Sequence, residues 1–359
     1  METLKAFIRP PPPCFDYKTA VLAETRSTVA VAHPELMDLV QGGSLVLVQK
    51  RRFGPVPEWR RWFVEPERIW VLGTSHLSEK SAADVERVMR AVQPDNVVVE
   101  LCRSRQFYFR AGIMYASADD QNAPLLNSNM FSLSGAKFFG AISRSINLGG
   151  QSALALRLLL AVFSSKITSG TNQTFGDEFR AARKAAEEIG AQVVLGDRPI
   201  EITLQRAWNS LNWNEKLRFV TLLFRGITSP SLESKEGDFE IEDKGGGPFK
   251  LYEQLSNTYP SLLQPLIHER DMYLAWSLKR SKAVNNCNTV VGVIGKGHMN
   301  GVVYALMADQ GDLRFRDLVG RTSQESSNSW VKSLIKGLIR DTIIGVVLWA
   351  LYEQLQTAF

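Results

Sequence analysis

Four short segments carry side chains that could do chemistry together: Gly73-Thr74-Ser75-His76, Glu100-Leu101-Cys102-Arg103, Gly196-Asp197-Arg198 and Gly295-Lys296-Gly297-His298. Two neutral imidazoles and a carboxylate are a common set for a divalent metal ion. His76, His298 and Glu100 would supply that set, and an open coordination position would activate water. Glu100 could instead serve as a general base. Arg103 and Arg198 could hold an anionic substrate group or a developing oxyanion. Each residue also has a purely structural alternative. A lone Gly-x-x-His is a weak motif, and a single buried histidine often does no more than hydrogen-bond. Two copies, each after an apolar run, favour a site. Glu100 could pair structurally with Arg103 or Arg198, and Asp197 could simply cap the next helix. Glycine ahead of each histidine is expected to let the backbone turn tightly.

The elements that must position these residues are readable from periodicity. Ile69–Leu72, Asn96–Leu101, Ala191–Leu195 and Thr289–Ile294 are short apolar runs, expected as strands. Helical spacing marks 81–92, 175–189, a helix begun by Pro199, one over 214–224, one over 262–282 and one over 299–309. The segment 69–101 has the size of a βαβ unit, which makes parallel strands. The fold class expected is therefore α/β: a mostly parallel sheet flanked by helices, with a helical middle insertion and a C-terminal hydrophobic helix. In such sheets ligands sit beyond the carboxyl ends of the strands, where all four polar segments fall. His268-Glu269-Arg270-Asp271 lacks metalloprotease spacing and reads as a salt-bridge cluster along a helix, with Glu269 or Arg270 able to face the site. Residues 1–66 read as an N-terminal extension, with strand-like stretches at 28–32 and 44–49 before Pro55, Pro57 and Pro66. Residues 67–312 form the α/β domain, interrupted by an acidic loop at 228–248 that reads as mobile.

The totals exclude several classes. A net charge of +5 and a pI near 9.0 come without a dense Lys/Arg block, so no nucleic-acid partner is expected. Cys14, Cys102 and Cys287 are widely spaced and odd in number, which speaks against disulfides or structural zinc and for a reducing compartment. No secretory leader pattern opens the chain. The tail, 328–359, sets Lys332, Lys336 and Arg340 on one helical face, followed by the apolar run Ile343–Leu351. A span needs about 20 apolar residues, and reaching that length here includes Arg340 and Asp341. A tail anchor through 331–355, docking on the protein's own core and an interfacial helix all stay open.

Val71–His76, Pro94-Asp95 through Val99–Arg103, Gly176–Phe179, Val194–Ile200, Glu269-Arg270-Asp271 and Gly292–Gly301 occur in an order that resembles the TraB/PrgY family, in particular its plant and animal TraB domain-containing members. The resemblance covers about 68–310. That family is similar to Tiki-type proteins, which look like metal-dependent proteases built on two Gly-x-x-His motifs, a glutamate and an arginine. It implies His76, Glu100, Arg103 and His298 as site positions, a peptide or protein substrate and a bound divalent metal. Bacterial relatives are linked to pheromone shutdown. Plant relatives look like mitochondrial outer-membrane proteins facing the cytosol, some implicated in organelle contact and turnover; cytosol and chloroplast are the alternatives here. Cys102 stands where the family has aspartate. The single short C-terminal run departs from the several of bacterial relatives and puts a multi-span topology in doubt.

Two functions from different classes follow. One is a metal-dependent hydrolase, peptidase-like, attached to an organelle membrane by its tail. The other is a catalytically silent, membrane-tethered adaptor that captures a partner through 231–247, around Phe239.

Overall fold

A computed structural model of the chain describes residues 8–56, 58, 62, 64–75, 79–102, 176–218, 221, 259–309, 311 and 313–319. The chain divides into two compact units, Met1–Val319 and Gly320–Phe359. The second unit, with the predicted tail helix, lies outside the described residues, as do the middle insertion 103–175 and the acidic loop 228–248.

The first unit is built on a five-stranded sheet of order β1-β2-β5-β3-β4: β1 Leu45–Gln49, β2 Arg68–Thr74, β3 Asn96–Val99, β4 Gln192–Leu195 and β5 Thr289–Gly295. β1 runs antiparallel to β2, with Leu47 opposite Trp70, and the other pairs are parallel. Helices α1 (Tyr17–Ala32), α2 (Glu79–Val92), α3 (Asp177–Ile189), α4 (Ile200–Ser210), α5 (Glu269–Arg280) and α6 (Met299–Met307) surround it. The crossovers β2–α2–β3 and β3–α3–β4 run the same way across the sheet. The return from β4 through α5 to β5 runs the opposite way. Right-handed connection therefore puts α2 and α3 on one face and α5 on the other. The packing agrees: α2 lies against α3, and α5 against α6.

β5 separates β2 from β3, so the βαβ unit at 69–101 skips one strand. All seven β5 residues are buried, as a central strand covered on both faces requires. Residues 17–49 supply a helix and an edge strand to the same sheet, so the region 1–66 contributes to the fold it was expected to extend. The strand expected at 28–32 is the end of α1, where Asp16 accepts from the Lys18 amide at 3.1 Å and Val21, Leu22, Thr25 and Val29 face inward. That face places the apolar residues at helical spacing; the β-branched pairs at its end gave the strand-like look. The helix expected over 262–282 is present, helical without a gap from 263 to 280 and carrying one π turn. A π-helical turn, Gln264–His268, precedes α5, and this turn sets the direction in which Glu269, Arg270 and Asp271 project. No helix among the described residues is long and apolar enough to cross a membrane.

The main apolar core lies between the sheet and helices α1, α2, α3, α5 and α6. A smaller core forms around α4, from Ile200, Leu204, Ala207, Leu211, Tyr259 and Leu262, and Cys102 packs into it.

Candidate functional site

The strand register decides which polar ends meet. Thr74 of β2 sits beside Gly295 of β5, and Val99 of β3 sits beside both Val293 of β5 and Leu195 of β4. The two Gly-x-x-His segments therefore leave neighbouring parallel strands at the same end of the sheet. His76 itself lies outside the described residues. Gly73 shows why its motif begins with glycine: a Cβ there would overlap the Met299 side chain, with Lys296 Cγ at 3.2 Å. Its φ is not positive. Close packing of the two motifs, and not the tight turn expected, is the reason for glycine at this position.

Glu100 is the first residue past β3 and is 4 % exposed. Its Oε2 accepts from the Gly295 amide at 2.8 Å. Its Oε1 accepts from Arg270 Nη2 at 2.5 Å. Arg270 also donates from Nε to Asp197 Oδ1 at 3.1 Å and from Nη2 to Asp197 Oδ2 at 2.9 Å, a two-point carboxylate contact. Its Nη1 lies 3.3 Å from His298 Nε2. On the other side of the ring, His298 Nδ1 is hydrogen-bonded to Asp271 Oδ1 at 2.5 Å. His298 Nε2 faces Glu100 Oε1 at 3.4 Å. One guanidinium thus joins the ends of β3 and β4 to the imidazole that follows β5.

The electrostatics follow from burial and these contacts. Burial works against the charged form of His298, but Glu100 and Asp271 outweigh it and the pKa rises above the ordinary histidine value. Burial raises the Asp271 carboxyl, with His298 opposing. Burial also works against the Arg270 cation, yet Asp197 and Glu100 hold it more firmly protonated than a free arginine. Tyr273, one turn beyond Arg270, is pushed up to about 12 by burial and by Asp197, so it keeps its proton and remains a donor.

Arg198 does not join Asp197 at this site. It is 0 % exposed and donates to Glu269 at 2.5 Å, Thr203 at 3.0 Å, the Pro265 carbonyl at 2.8 Å and the Leu318 carbonyl at 3.2 Å. Its neighbour Asp197 faces the opposite way, as alternate residues of an extended segment do. The guanidinium beside Asp197 and Glu100 is that of Arg270. Asp197 does not cap α4, whose preceding residue is Pro199. The salt-bridge cluster expected along the helix at 268–271 is buried at Glu269 and Asp271, and Arg270 between them is the one that faces the strand ends, the alternative left open. Glu269 binds Arg198 and Arg206, Arg270 binds Asp197 and Glu100, and Asp271 binds His298. A signal for this was present in the sequence: Asp197-Arg198 and Glu269-Arg270 are adjacent opposite charges in two apolar settings, and they pair crosswise. Arg103 lies outside the described residues.

A divalent metal can be tested against this donor set. Asp271 fixes His298 Nδ1, the arrangement that carboxylates give to metal-bound histidines, and Nε2 points toward Glu100 Oε1 and Arg270 Nη1. Nε2 and Glu100 Oε1 are 3.4 Å apart. Two ligands of one tetrahedral zinc stand about 3.3 Å apart by ordinary bond lengths. Two donors therefore fit. No group of three His, Cys, Asp or Glu side chains suited to a metal converges among the described residues, and Arg270 lies beside the pair. The third donor expected is His76.

Residues 62–312 match the sequence model of the TraB/PrgY/gumN family. The chain belongs to that family. Among relatives, the human TraB domain-containing protein is 29% identical over 249 residues, 66% of this chain and 61% of that protein. The chain thus spans about three-fifths of the human relative's length. The mouse TraB domain-containing protein is 28% identical over 304 residues, 79% of this chain and 76% of its own. An uncharacterized protein of Methanocaldococcus jannaschii is 27% identical over 288 residues, 78% of this chain and 64% of its own. The TraB match contains every element of the site: β2, the ends of β3 and β4, α5 and the turn after β5.

Proposed function

We propose that this TraB-family chain is a hydrolase of peptide-like substrates, with its active site at the carboxyl end of the sheet. The observation that carries the reading is the orientation of His298: its Nδ1 is hydrogen-bonded to Asp271, and its Nε2 is turned toward Glu100 and Arg270 Nη1. His298, Glu100 and His76 would hold a divalent ion. Such an ion supplies Lewis acidity to an oxygen atom of water or of a carbonyl. The chain's own residues do the rest. Glu100, tethered at Oε2 by the Gly295 amide, either gives Oε1 to the ion or takes a proton as general base. Arg270 holds Glu100 and Asp197 in place through charge-assisted hydrogen bonds. The Tyr273 hydroxyl offers a donor near Asp197. Arg103 retains the charge-stabilising place that the family resemblance gives it.

The test uses purified full-length chain. Wild type is expected to carry a divalent metal that a His76→Ala/His298→Ala variant lacks. Glu100→Gln is expected to lower peptide hydrolysis about 10²–10⁴-fold, the usual contribution of a general base. Equal metal content in the two proteins would remove the metal, and an unchanged rate in Glu100→Gln would remove the base.

The same proposal includes attachment to an organelle membrane, such as the mitochondrial outer membrane, through 331–355. The support is the basic face of Lys332, Lys336 and Arg340 ahead of the apolar run Ile343–Leu351, a pattern that places the start of the segment on the cytosolic side. The full chain is expected to resist carbonate extraction from cells and a 1–328 truncation to be released. Equal release of both would withdraw the anchor.

A further inference from the structure

The contact that aims His298 depends on a residue bearing no side chain. His298 and Gly301 are three residues apart at the start of α6, so they share one face of that helix. Asp271 reaches across from α5. A Cβ built on Gly301 would overlap Asp271 Oδ2 and would lie 2.5 Å from Asp271 Cγ and 3.0 Å from Asp271 Cβ. All three nearest atoms belong to this one carboxylate. Asp271 is 4 % exposed and Gly301 is buried, so neither has solvent into which to shift.

We infer that Gly301 and Asp271 act as one positioning unit for His298: the bare α-carbon of Gly301 is the space that lets the Asp271 carboxylate reach Nδ1. The inference deepens the proposed reading, because His298 is the imidazole of that site. Displacing the carboxylate by the width of a methyl group breaks a 2.5 Å hydrogen bond. The ring is then free to carry its proton on either nitrogen or to turn. With Asp271 in place the proton is fixed on Nδ1, and Nε2 stays available on the side of Glu100. Neither Gly301 nor Asp271 is a catalytic residue on this account, since each works through the imidazole.

The experiment reads the tautomer of His298 directly. Full-length chain is labelled with nitrogen-15 histidine; the chain has only 4 histidines, and the His298 signal is assigned by its loss in His298→Gln. Spectra are taken where the ring is neutral. Wild type is expected to show well-separated nitrogen shifts with the proton on Nδ1. Gly301→Ala and Asp271→Ala are each expected to move the two shifts toward one another. The double variant is expected to match Asp271→Ala, because the overlapping carboxylate is already gone and the two effects are not additive. A wild-type spectrum in either single variant would overturn the inference, as would a double variant that departs from Asp271→Ala. If Gly301→Ala alone does not fold, the double variant decides. Its folding supports overlap with Asp271 as the cause, and its failure shows that something else demands the glycine. Every protein is first stripped of metal with a chelator and no substrate is added, so a chain without hydrolytic activity leaves the result intact.

Discussion

Glu269→Gln is expected to lower the unfolding free energy by about 3–5 kcal/mol at neutral pH, the usual cost of breaking a buried ion pair from one side. Glu269 is 5 % exposed and Arg198 0 %. Without the carboxylate, Arg198 keeps its contacts to Thr203, the Pro265 carbonyl and the Leu318 carbonyl, but none of these neutralises it. Glutamine keeps a single acceptor oxygen, so of the two Arg206 contacts, Nη2 at 2.9 Å and the shorter one from Nε, at least one is lost. Glutamine has nearly the same shape, so the loss is electrostatic and leaves no cavity. The pH dependence has a definite sign. Burial pushes the Glu269 carboxyl up, but Arg206 and Arg198 outweigh it and hold the pKa below its ordinary value of 4.5. A depressed carboxylate contributes stability that is present above its unfolded pKa and lost as pH falls through its folded pKa. Wild type should therefore show an acid limb below about pH 4.5 that is shallower in the glutamine variant. Urea midpoints at neutral and acid pH measure both effects. Matching midpoints at neutral pH would show that the pair stabilises nothing.

That pair also explains why part of the site was legible in the sequence and part was not. Glu100, Asp197 and His298 stand directly after apolar strands, and in a parallel sheet a strand's carboxyl end is where a ligand site forms. Position in the chain was enough to nominate them. Arg270 could not be found that way. It is 170 residues from Glu100 and 73 from Asp197, and its helix carries charges at a spacing that an exposed helix also shows. Periodicity reports which face of a helix is apolar. It does not report that the first turn of α5 points down the sheet at three strand ends, because the π turn at 264–268 sets that direction. Arg198 was nominated by adjacency to Asp197, and alternation along an extended segment sent it the other way. The strand order was hidden for a related reason. Sequential strands usually neighbour each other, whereas β5, last in the chain, fills the gap between β2 and β3.

The crosswise pairs, Asp197 with Arg270 and Glu269 with Arg198, tie the end of β4 to the start of α5 on both sides of that helix. One pair lies under the small core around α4, and the other faces Glu100 and His298. A change in either should therefore be felt in the position of the first turn of α5, and so in the contact of Asp271 with His298.

Arg270→Ala carries the other large expected effect, again about 3–5 kcal/mol, and it should reach the imidazole as well. Glu100, at 4 % exposure, and Asp197, at 5 %, both rest on this guanidinium. Its removal takes away the cation that both of these buried carboxylates contact. Arg270→Lys restores the charge but not the planar fork that engages Asp197 at two points and Glu100 at a third, so its stability should lie between wild type and the alanine variant. The His298 pKa separates charge from geometry. It is already raised by Glu100 and Asp271 against burial, and the positive charge of Arg270 is a force that holds it down. Alanine removes that force, so the pKa should rise further, while lysine should keep it near the wild-type position. A histidine with a raised folded pKa stabilises the fold below its unfolded pKa and loses that contribution as pH rises through the folded value. The alanine variant should then carry its histidine contribution to higher pH than wild type does, even as its total stability falls. Denaturant midpoints give the first quantity and an NMR titration of the ring gives the second. A His298 pKa that falls in Arg270→Ala would show that the guanidinium does not govern this ring, and the cluster would have to be read as separate pairs.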